Sequence, residues 1–417
     1  MKLKRLTCFA LSAVCLAGAF GMTVGCGKED EPDPGKTEEL MTYNEYNLKT
    51  YLTPFWEGGV VYNETLWFAG SQSAPLLYKP DEVISVMSYD MKTTYEEDVD
   101  YIVEENGLII PADGKIPFLP HSELYRKSAY NPMVAAAYRN KDGNPEGFLY
   151  ADEGQTISKQ QVVVTYKHSD TMQWNTPRVE TAKFPKTMAK LENGEDIKVL
   201  FYGDSITVGA NSSEYIGIAP HAESYANMVK SYMKARFPKA NIEFKNNAVG
   251  GTDSNWGIDR ETGIAGIDNI VPDEKGQHFQ KRVLDVNPDL LFIAYGMNDQ
   301  AYDAVQCKAN IKKMIETVRA QNPNVEIMLV SGMIANPETF FDNKDYEAYQ
   351  TAFIELSEEF QNVGIATVYN SVKSVYTKKR FVDCTANNIN HPNDFMMRVY
   401  AQTVLYSLFG ADYIKHI

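Results

Sequence analysis

The sequence predicts an α/β fold, with a three-layer α/β/α arrangement around a mostly parallel sheet and an all-β sandwich in front of it. In residues 41–190, short runs of β-branched and aromatic side chains are separated by turn-forming residues. After Gly194, apolar strands alternate with segments whose apolar residues recur at helical spacing. Strands separated by helices imply right-handed crossovers and a parallel sheet that is covered on both faces.

The first of these regions has few segments with a helical period, so two packed antiparallel sheets are its simplest interpretation. Gly107 lies between two of its apolar runs and predicts a hairpin, because glycine permits the positive φ of a tight turn. We assign residues 41–190 to a β-sandwich accessory domain. Its predicted strands are residues 60–62, 66–68, 83–87, 101–103, 108–110 and 162–166.

The second region, residues 195–417, contains about five strands and fits a flavodoxin-like domain. Its predicted strands are residues 197–202, 241–249, 290–295, 326–330 and 365–369. Its predicted helices are residues 224–237, 305–321, 346–361 and 394–409.

Residues 1–40 differ from the rest of the chain. Three basic residues precede a short apolar stretch, residues 6–20, and small residues follow it, which predicts a secretory signal peptide over residues 1–25. Cys26 at the cleavage point resembles the lipobox cysteine of bacterial lipoproteins, and plain secretion is the alternative. The acidic, Pro/Gly-rich residues 26–40 predict a disordered tether, similar to the surface-export segments of Bacteroidetes lipoproteins. The resemblance implies a lipid anchor at Cys26 and an extracytoplasmic place on the outer membrane, either periplasmic or surface-exposed.

The charge excludes one class of partner. The formal net charge is −15, and it becomes −18 when the three basic residues of the leader are removed. A nucleic-acid partner is not expected, because phosphate binding requires a basic surface. Of five cysteines, Cys307 and Cys384 remain after the leader and Cys26, which is too few for a disulfide framework. No Cys/His cluster has zinc-ligand spacing, so we expect neither a metal nor a cofactor.

Candidate site residues follow three of the predicted parallel strands. Ser205, Gly251 and Asn298 each lie just beyond a different strand, and the carboxyl ends of such strands share one edge of the sheet. A serine hydroxyl needs a base, and His391, directly before the last predicted helix, is the candidate. The backbone N–H groups of Ser205 and Gly251 and the side-chain amide of Asn298 can supply donors to an oxyanion.

These residues lie in four blocks that resemble those of the SGNH, or GDSL, hydrolase superfamily. The blocks are residues 203–206, residue 251, residues 296–299 and residues 391–393. The resemblance covers residues 197–417 and implies an α/β/α fold that hydrolyses esters, often acetyl groups on polysaccharides. It implies Ser205 as nucleophile, His391 as base, and Gly251 and Asn298 as oxyanion donors, with Gly250 as the alternative to Gly251.

One position departs from the family pattern. The family usually has Asp three residues before the histidine, and this chain has Asn388 there. In serine proteases, the corresponding Asp-to-Asn change lowers kcat about 10⁴-fold. Three alternatives follow: the Asn388 amide accepts the Nδ1 hydrogen bond, a backbone carbonyl orients the ring in a Ser-His dyad, or the enzyme is weak. We favour the backbone carbonyl over Asn388, and Asp394 is a weaker substitute that the helix dipole explains.

Two aromatic residues near the blocks are candidates for contact with a sugar ring. Trp256 follows Gly251 and Tyr302 follows Asn298, although packing of the loop explains Trp256 equally well. The leading hypothesis is an esterase that removes O-acetyl groups from polysaccharides or oligosaccharides. A lipid esterase, lysophospholipase or thioesterase on the same fold is the first alternative. The sequence near Ser205 contains no long apolar lid, which counts against it. A non-catalytic glycan-binding lipoprotein is the second, motivated by Asn388.

Overall fold

Small antiparallel sheets form the amino-terminal half of the described chain. The computed structural model describes residues 40–140, 142–172, 174–261, 270–299, 303–339 and 346–417. The strands are β1 (Val60–Leu66), β2 (Ser73–Pro75), β3 (Glu82–Ser88), β4 (Thr94–Tyr95), β5 (Ile102–Glu104), β6 (Gly107–Ile109), β7 (Tyr125–Arg126), β8 (Ala137–Arg139), β9 (Pro145–Leu149) and β10 (Val162–Lys167). They form sheets in the orders β1-β10-β3-β4, β2-β6-β5 and β7-β9-β8. Two short helices, α1 (Leu48–Leu52) and α2 (His121–Leu124), accompany them.

The hairpin predicted around Gly107 is present, but the reason for the glycine differs from the predicted one. Strands β5 and β6 pair antiparallel across the turn. Gly107 is the first residue of β6, and a Cβ there would lie 2.2 Å from the carbonyl oxygen of Ala74 in β2. The close approach of the neighbouring strand, and not a positive φ, therefore requires glycine at this position.

A five-stranded parallel sheet organises the carboxyl-terminal half. Its strands are β11 (Asp196–Gly203), β12 (Asn241–Asn246), β13 (Leu290–Ala294), β14 (Glu326–Val330) and β15 (Val363–Ala366). Their spatial order is β12-β11-β13-β14-β15 and every pairing is parallel. This is the flavodoxin-like order, in which the chain direction reverses at β11. The predicted α/β fold class is thus confirmed.

Helices cover this sheet. They are α3 (Pro185–Asn193), α4 (Ser205–Val208), α5 (Tyr225–Arg236), α6 (Ala304–Gln321), α7 (Tyr346–Glu359), α8 (Val368–Val375) and α9 (Asp394–Phe409). Helix α5 packs on α9 and α6 packs on α7. Because right-handed crossovers run in opposite directions from β11, α5 lies on one face of the sheet and α6 and α7 lie on the other.

One predicted strand is shorter than expected. The sequence predicts a strand over residues 365–369, but β15 ends at Ala366 and α8 begins at Val368. The run of β-branched residues continues into the helix, where Val368, Val372 and Val375 are buried on one face. Packing of this face against α9 outweighs the β propensity of the valines.

The two halves share one core. The chain divides into residues 1–41 and residues 42–417, and within the second unit one cluster of buried apolar side chains contains members of β1, β10, β11 and α9. Helix α9 is almost entirely buried, and its Arg398 guanidinium donates to the carbonyl oxygen of Tyr62 in β1. The predicted leader, Cys26 and most of the tether lie outside the described residues. None of the helices in the described ranges has the length and apolarity to cross a membrane.

Candidate active site

Ser205 stands where β11 meets a short helix at the carboxyl edge of the sheet. Asp204 caps this helix, α4, and its side chain accepts a hydrogen bond of 3.0 Å from the N–H of Ile206. At Gly203 a Cβ would lie 2.3 Å from the carbonyl oxygen of Ala294, so only glycine lets β11 approach β13 here. The hydroxyl of Ser205 is thereby presented above the sheet.

His391 reaches this serine from the loop before α9. Its Nε2 atom lies 2.9 Å from Ser205 Oγ. The loop is organised by Asn387, whose Oδ1 atom accepts hydrogen bonds of 2.9 Å from the backbone N–H groups of Ile389, Asn390 and His391. One side chain therefore fixes the backbone from which the imidazole projects.

The other ring nitrogen of His391 contacts two acceptors. Nδ1 lies 2.8 Å from Glu153 Oε2 and 2.6 Å from Asn211 Oδ1. Because a carboxylate and an amide oxygen only accept, Nδ1 carries the proton and Nε2 is free to accept the proton of Ser205. This tautomer is the one that a general base requires.

Glu153 comes from the segment that follows β9, 238 positions before His391. Its other carboxylate oxygen, Oε1, accepts a hydrogen bond of 3.0 Å from Asn387 Nδ2. Burial raises the pKa of Glu153, but the hydrogen bond and charge of His391 and the hydrogen bond from Asn387 outweigh it, so the net pKa is lowered. The carboxylate is therefore ionised at neutral pH.

Asn388 does not contact the imidazole. Its Nδ2 atom donates to the carbonyl oxygen of Tyr150 at 3.0 Å, and its Oδ1 atom accepts from Asn336 Nδ2 at 3.0 Å. The expected orienting role of Asn388, and the favoured alternative of a backbone carbonyl, are both wrong, because side chains of Glu153 and Asn211 accept the Nδ1 hydrogen bond. Sequence reasoning missed Glu153, since nothing in the turn around it marks it as a partner of His391.

The proposed oxyanion donors lie beside the serine. Gly250, Gly251 and Asn298 line the same cavity as Ser205 and His391. The side-chain amide of Asn298 donates one hydrogen bond of 3.0 Å to the carbonyl oxygen of Thr252, which holds it next to the glycine turn. Gly250 lies against Ser205, since a Cβ there would be 3.6 Å from Ser205 Cβ, and Gly251 has a φ of +78°. The donor roles of Gly251 and Asn298 stay predictions.

A buried carboxylate connects the two segments that carry these donors. Asp299 accepts from the backbone N–H of Ser254 at 3.2 Å and from its hydroxyl. Asn310 on α6 donates to the same hydroxyl at 2.8 Å. The glycine turn and the Asn298 segment are thus held in one rigid arrangement.

The cavity has a volume of about 600 Å³ and one apolar wall. Met133, Val134, Ala135 and Ala136, from the amino-terminal half, form this wall together with Ile389. Polar groups of Asn211, Asn390 and Glu153, the ring of Tyr215 and Ala210 also line the cavity.

Of the two aromatic residues predicted to contact substrate, the described one, Trp256, does not line the cavity. Trp256 is 1% exposed and stacks on His278, with ring centroids 4.0 Å apart, so it packs the loop and cannot reach a ligand. Tyr302 lies outside the described residues. Tyr215, which is 58% exposed, is an aromatic residue that does line the cavity.

The fold and the Ser205–His391 pair define a hydrolase-type protein of the three-layer α/β/α class. Residues 201–399 match the GDSL-like Lipase/Acylhydrolase family. No curated protein matches the chain.

Several solved structures are similar. A two-domain esterase active on acetylated mannans, co-crystallised with mannopentaose, is 21% identical with a TM-score of 0.41, over 57% of this chain and 55% of that chain. The match thus spans little more than half of that esterase. Axe2, an acetylxylan esterase from Geobacillus stearothermophilus, is 17% identical with a TM-score of 0.38, over 51% of this chain and 94% of that chain. LAE5, an alpha/beta hydrolase from the metagenome of Lake Arreo, Spain, is 19% identical with a TM-score of 0.37, over 51% of this chain and 95% of that chain.

Proposed function

We propose that the chain is a serine ester hydrolase in which Ser205 is the nucleophile and His391 is the general base. The observation that carries the proposal is the 2.9 Å contact between His391 Nε2 and Ser205 Oγ, inside the part of the chain that matches a lipase/acylhydrolase family. A serine hydroxyl is a poor nucleophile until a neighbouring base removes its proton. The hydrogen bonds at Nδ1 leave Nε2 free for this task.

The reaction then follows in two stages. Ser205 Oγ attacks the acyl carbon while its proton passes to His391 Nε2, and the oxyanion accepts hydrogen bonds from the N–H groups of Ser205 and Gly251 and from the Asn298 amide. The intermediate collapses, and the departing alcohol takes the proton from His391. Water, activated by the same imidazole, then releases the acid from the acyl-enzyme.

As substrates we propose O-acetyl groups on carbohydrates. The apolar wall of the cavity consists largely of short side chains, among them Val134, Ala135 and Ala136, which suit a small acyl group. The amide of Asn390 and the exposed ring of Tyr215 offer a polar and an aromatic partner to a sugar. The net charge of −15 disfavours anionic lipid surfaces as the substrate.

The catalytic roles are tested by replacing the two side chains. We expect Ser205→Ala and His391→Ala each to lower kcat for p-nitrophenyl acetate by at least about 10³-fold. Ser205→Ala also abolishes labelling by a fluorophosphonate probe. Ser122→Ala and His416→Ala, both at exposed positions, serve as matched controls that retain full activity. A wild-type chain that resists the probe would instead favour a glycan-binding protein without activity.

The substrate class is tested with two esters and a panel of polymers. We expect faster hydrolysis of p-nitrophenyl acetate than of the octanoate, and acetate release from at least one of acetylated mannan, xylan, pectin or host glycans. Faster turnover of the octanoate, without acetate release from any polymer, would assign the site to lipid esters instead.

We also propose, from residues 1–40 alone, that Cys26 carries a lipid anchor that holds the protein at the outer membrane, outside the cytoplasm. Metabolic labelling with a radioactive fatty acid, lost in Cys26→Ala, tests the anchor. A wild-type protein that takes up no labelled fatty acid and stays in the soluble fraction after membrane fractionation would contradict the anchor.

A further inference from the structure

The ring nitrogen of His391 that faces away from Ser205 meets a carboxylate from the other half of the molecule. We infer that Glu153 is a positioning residue that completes the active site: it holds His391 through Nδ1 and balances the positive charge that the imidazole gains during the reaction. The inference rests on the proposed function of Ser205 and His391. It means that the amino-terminal half supplies a part of the catalytic machinery.

The two acceptors at Nδ1 have different chemistry. Asn211 Oδ1, at 2.6 Å, can fix the tautomer, but an amide carries no net charge. Glu153 Oε2, at 2.8 Å, is the anion in contact with the ring. When Nε2 accepts the proton of Ser205 the ring becomes an imidazolium, and the adjacent carboxylate stabilises that state. We therefore assign orientation to both residues and charge stabilisation to Glu153.

The carboxylate is held at both ends. Asn387 Nδ2 donates to Glu153 Oε1 at 3.0 Å, and Asn387 Oδ1 accepts from the N–H of His391. Asn211 Nδ2 donates to the backbone carbonyl of Glu153 at 2.9 Å, while Asn211 Oδ1 contacts His391. The same two amides thus contact both Glu153 and the histidine, which fixes the distance between them.

Hydrogen bonds also hold the segment that carries Glu153 in place. Thr156 Oγ1 donates to Asp152 Oδ2 at 2.7 Å, and Asn131 Nδ2 donates to Asp152 Oδ1 at 3.0 Å. Gln155 Nε2 donates to the carbonyl oxygen of Ile216 at 3.1 Å, so the turn is tied directly to the hydrolase half. A carboxylate presented from such a turn is preorganised for its partner.

Other described carboxylates in this region do not take this place. Asp394 lies on the first turn of α9, and its Oδ1 atom accepts from the N–H of Ser213 at 2.8 Å. Residue 388, where the family has Asp, is an asparagine bonded to Tyr150 and Asn336. Residue 388 therefore supplies no acid to His391, and Glu153 supplies one.

The test compares Glu153→Gln, Glu153→Asp and the control Glu146→Gln. Glu146 lies on neighbouring β9, is exposed and does not line the cavity. We expect Glu153→Gln to lower kcat about 100-fold with KM within about threefold, a smaller loss than the full triad penalty because Asn211 still fixes the tautomer. We expect kcat of Glu153→Asp to be at least about tenfold higher than that of Glu153→Gln, and Glu146→Gln to retain full activity.

The conservative variants separate charge stabilisation from a purely structural role. Glu153→Gln keeps an oxygen that accepts the Nδ1 hydrogen bond but removes the anion, whereas Glu153→Asp keeps the anion. The thermal midpoint of unfolding of Glu153→Gln stays within about 2 °C of wild type. The Glu153 side chain is 42% exposed, and ion pairs with an exposed partner add little stability.

Labelling by the fluorophosphonate probe makes the two proposals separable, since it requires an activated serine and no ester substrate. Slower labelling of Glu153→Gln supports the inference even if the wild-type chain hydrolyses none of the esters tested. Wild-type hydrolysis with Glu153→Gln retaining more than half of kcat and of the labelling rate would overturn the inference and leave the proposed function standing. A wild-type chain that neither hydrolyses esters nor reacts with the probe would overturn both.

Discussion

Asn388 joins the two halves of the molecule. The residue is fully buried and has a φ of +60°, a conformation that asparagine tolerates better than most residues. Its side chain donates to the carbonyl oxygen of Tyr150 in the amino-terminal half and accepts from Asn336 in the hydrolase half. Each hydrogen bond needs one end of the amide, so an acid cannot replace it.

This gives a prediction at residue 388. Asn388→Asp restores the acid of the family pattern, but we expect no gain in kcat, because the side chain faces Tyr150 and Asn336 instead of the imidazole. A carboxylate opposite the Tyr150 carbonyl loses a donor and adds buried charge, so the free energy of unfolding falls by about 2–4 kcal/mol at pH 7. Urea unfolding and p-nitrophenyl acetate hydrolysis measure the two effects. A rise in kcat of tenfold or more would show that residue 388 can reach the ring after all.

Topology explains why three predicted residues line one cavity. Ser205, Gly251 and Asn298 each follow a strand of a parallel sheet, and the carboxyl ends of such strands share one edge. Glu153 was not found, because its role depends on how a turn of the β-rich half packs against His391. The sequence did not predict Tyr215 at the cavity for a related reason. Its position depends on the path of a loop, which carries no periodic pattern.

At the scale of elements, α9 begins beside the active site and carries a buried acid in its first turn. Asn393 caps the helix by accepting from the N–H of Met396 at 3.1 Å. Burial raises the pKa of Asp394 to about 6, although hydrogen bonds from Ser213 lower it in part. A raised pKa in the folded protein means that the folded state binds this proton more tightly than the unfolded chain does.

The sign of the pH effect follows from this. The contribution of Asp394 to stability is fully present below about pH 4 and is lost as the pH rises through about 6, a change of about 3 kcal/mol. Asp394→Asn keeps an oxygen for Ser213 and removes the titration. We therefore expect its free energy of unfolding, relative to wild type, to increase by about 1–2 kcal/mol between pH 5 and pH 7.5.

Urea unfolding at the two pH values checks this prediction. Asp113→Asn, at an exposed position, is the control, and its difference from wild type should not change with pH. If the difference in the free energy of unfolding between Asp394→Asn and wild type also stays the same at both pH values, the assignment of the titration to Asp394 is contradicted.

The elements themselves were predicted with uneven success, for physical reasons. Helix α9 and strand β14 have the predicted bounds, because Asn393 and Gly410 cap the helix and β14 is a short, fully buried run. Helix α8 was missed, since its valines favour a strand locally and only packing on α9 makes them helical. Short strands such as β7 and β8 were also missed, because two or three residues carry no measurable alternation.

At the scale of the whole molecule, a buried ion pair links the halves. Lys379 Nζ lies 2.6 Å from Glu64 Oε1 on β1, and both side chains are 0% exposed. Glu64 also accepts from the hydroxyl of Tyr166 at 2.7 Å and from the N–H of Leu77 at 3.0 Å. Breaking one side of such a pair leaves an uncompensated charge in the core.

We expect Lys379→Met to lower the free energy of unfolding by about 3–5 kcal/mol. The double variant Glu64→Gln, Lys379→Met removes both charges and should recover at least about half of this loss, since an amide still accepts from Tyr166. Lys373→Met, which breaks an exposed pair with Glu347, is the control and should cost less than about 1 kcal/mol. Urea unfolding measures all three. A cost for Lys379→Met no larger than that of the control would contradict the prediction.

The sequence separations within the active site have a consequence for folding. His391 meets Ser205 across 186 positions and Glu153 across 238. Contacts between such distant segments require the closure of large loops and form late, after local helices and neighbouring strands. We therefore expect a refolding molecule to form its local helices before it gains activity. If the turn that carries Glu153 opens, the contact with His391 breaks while the helices stay intact, so we expect turnover to report such opening more sensitively than helix content does.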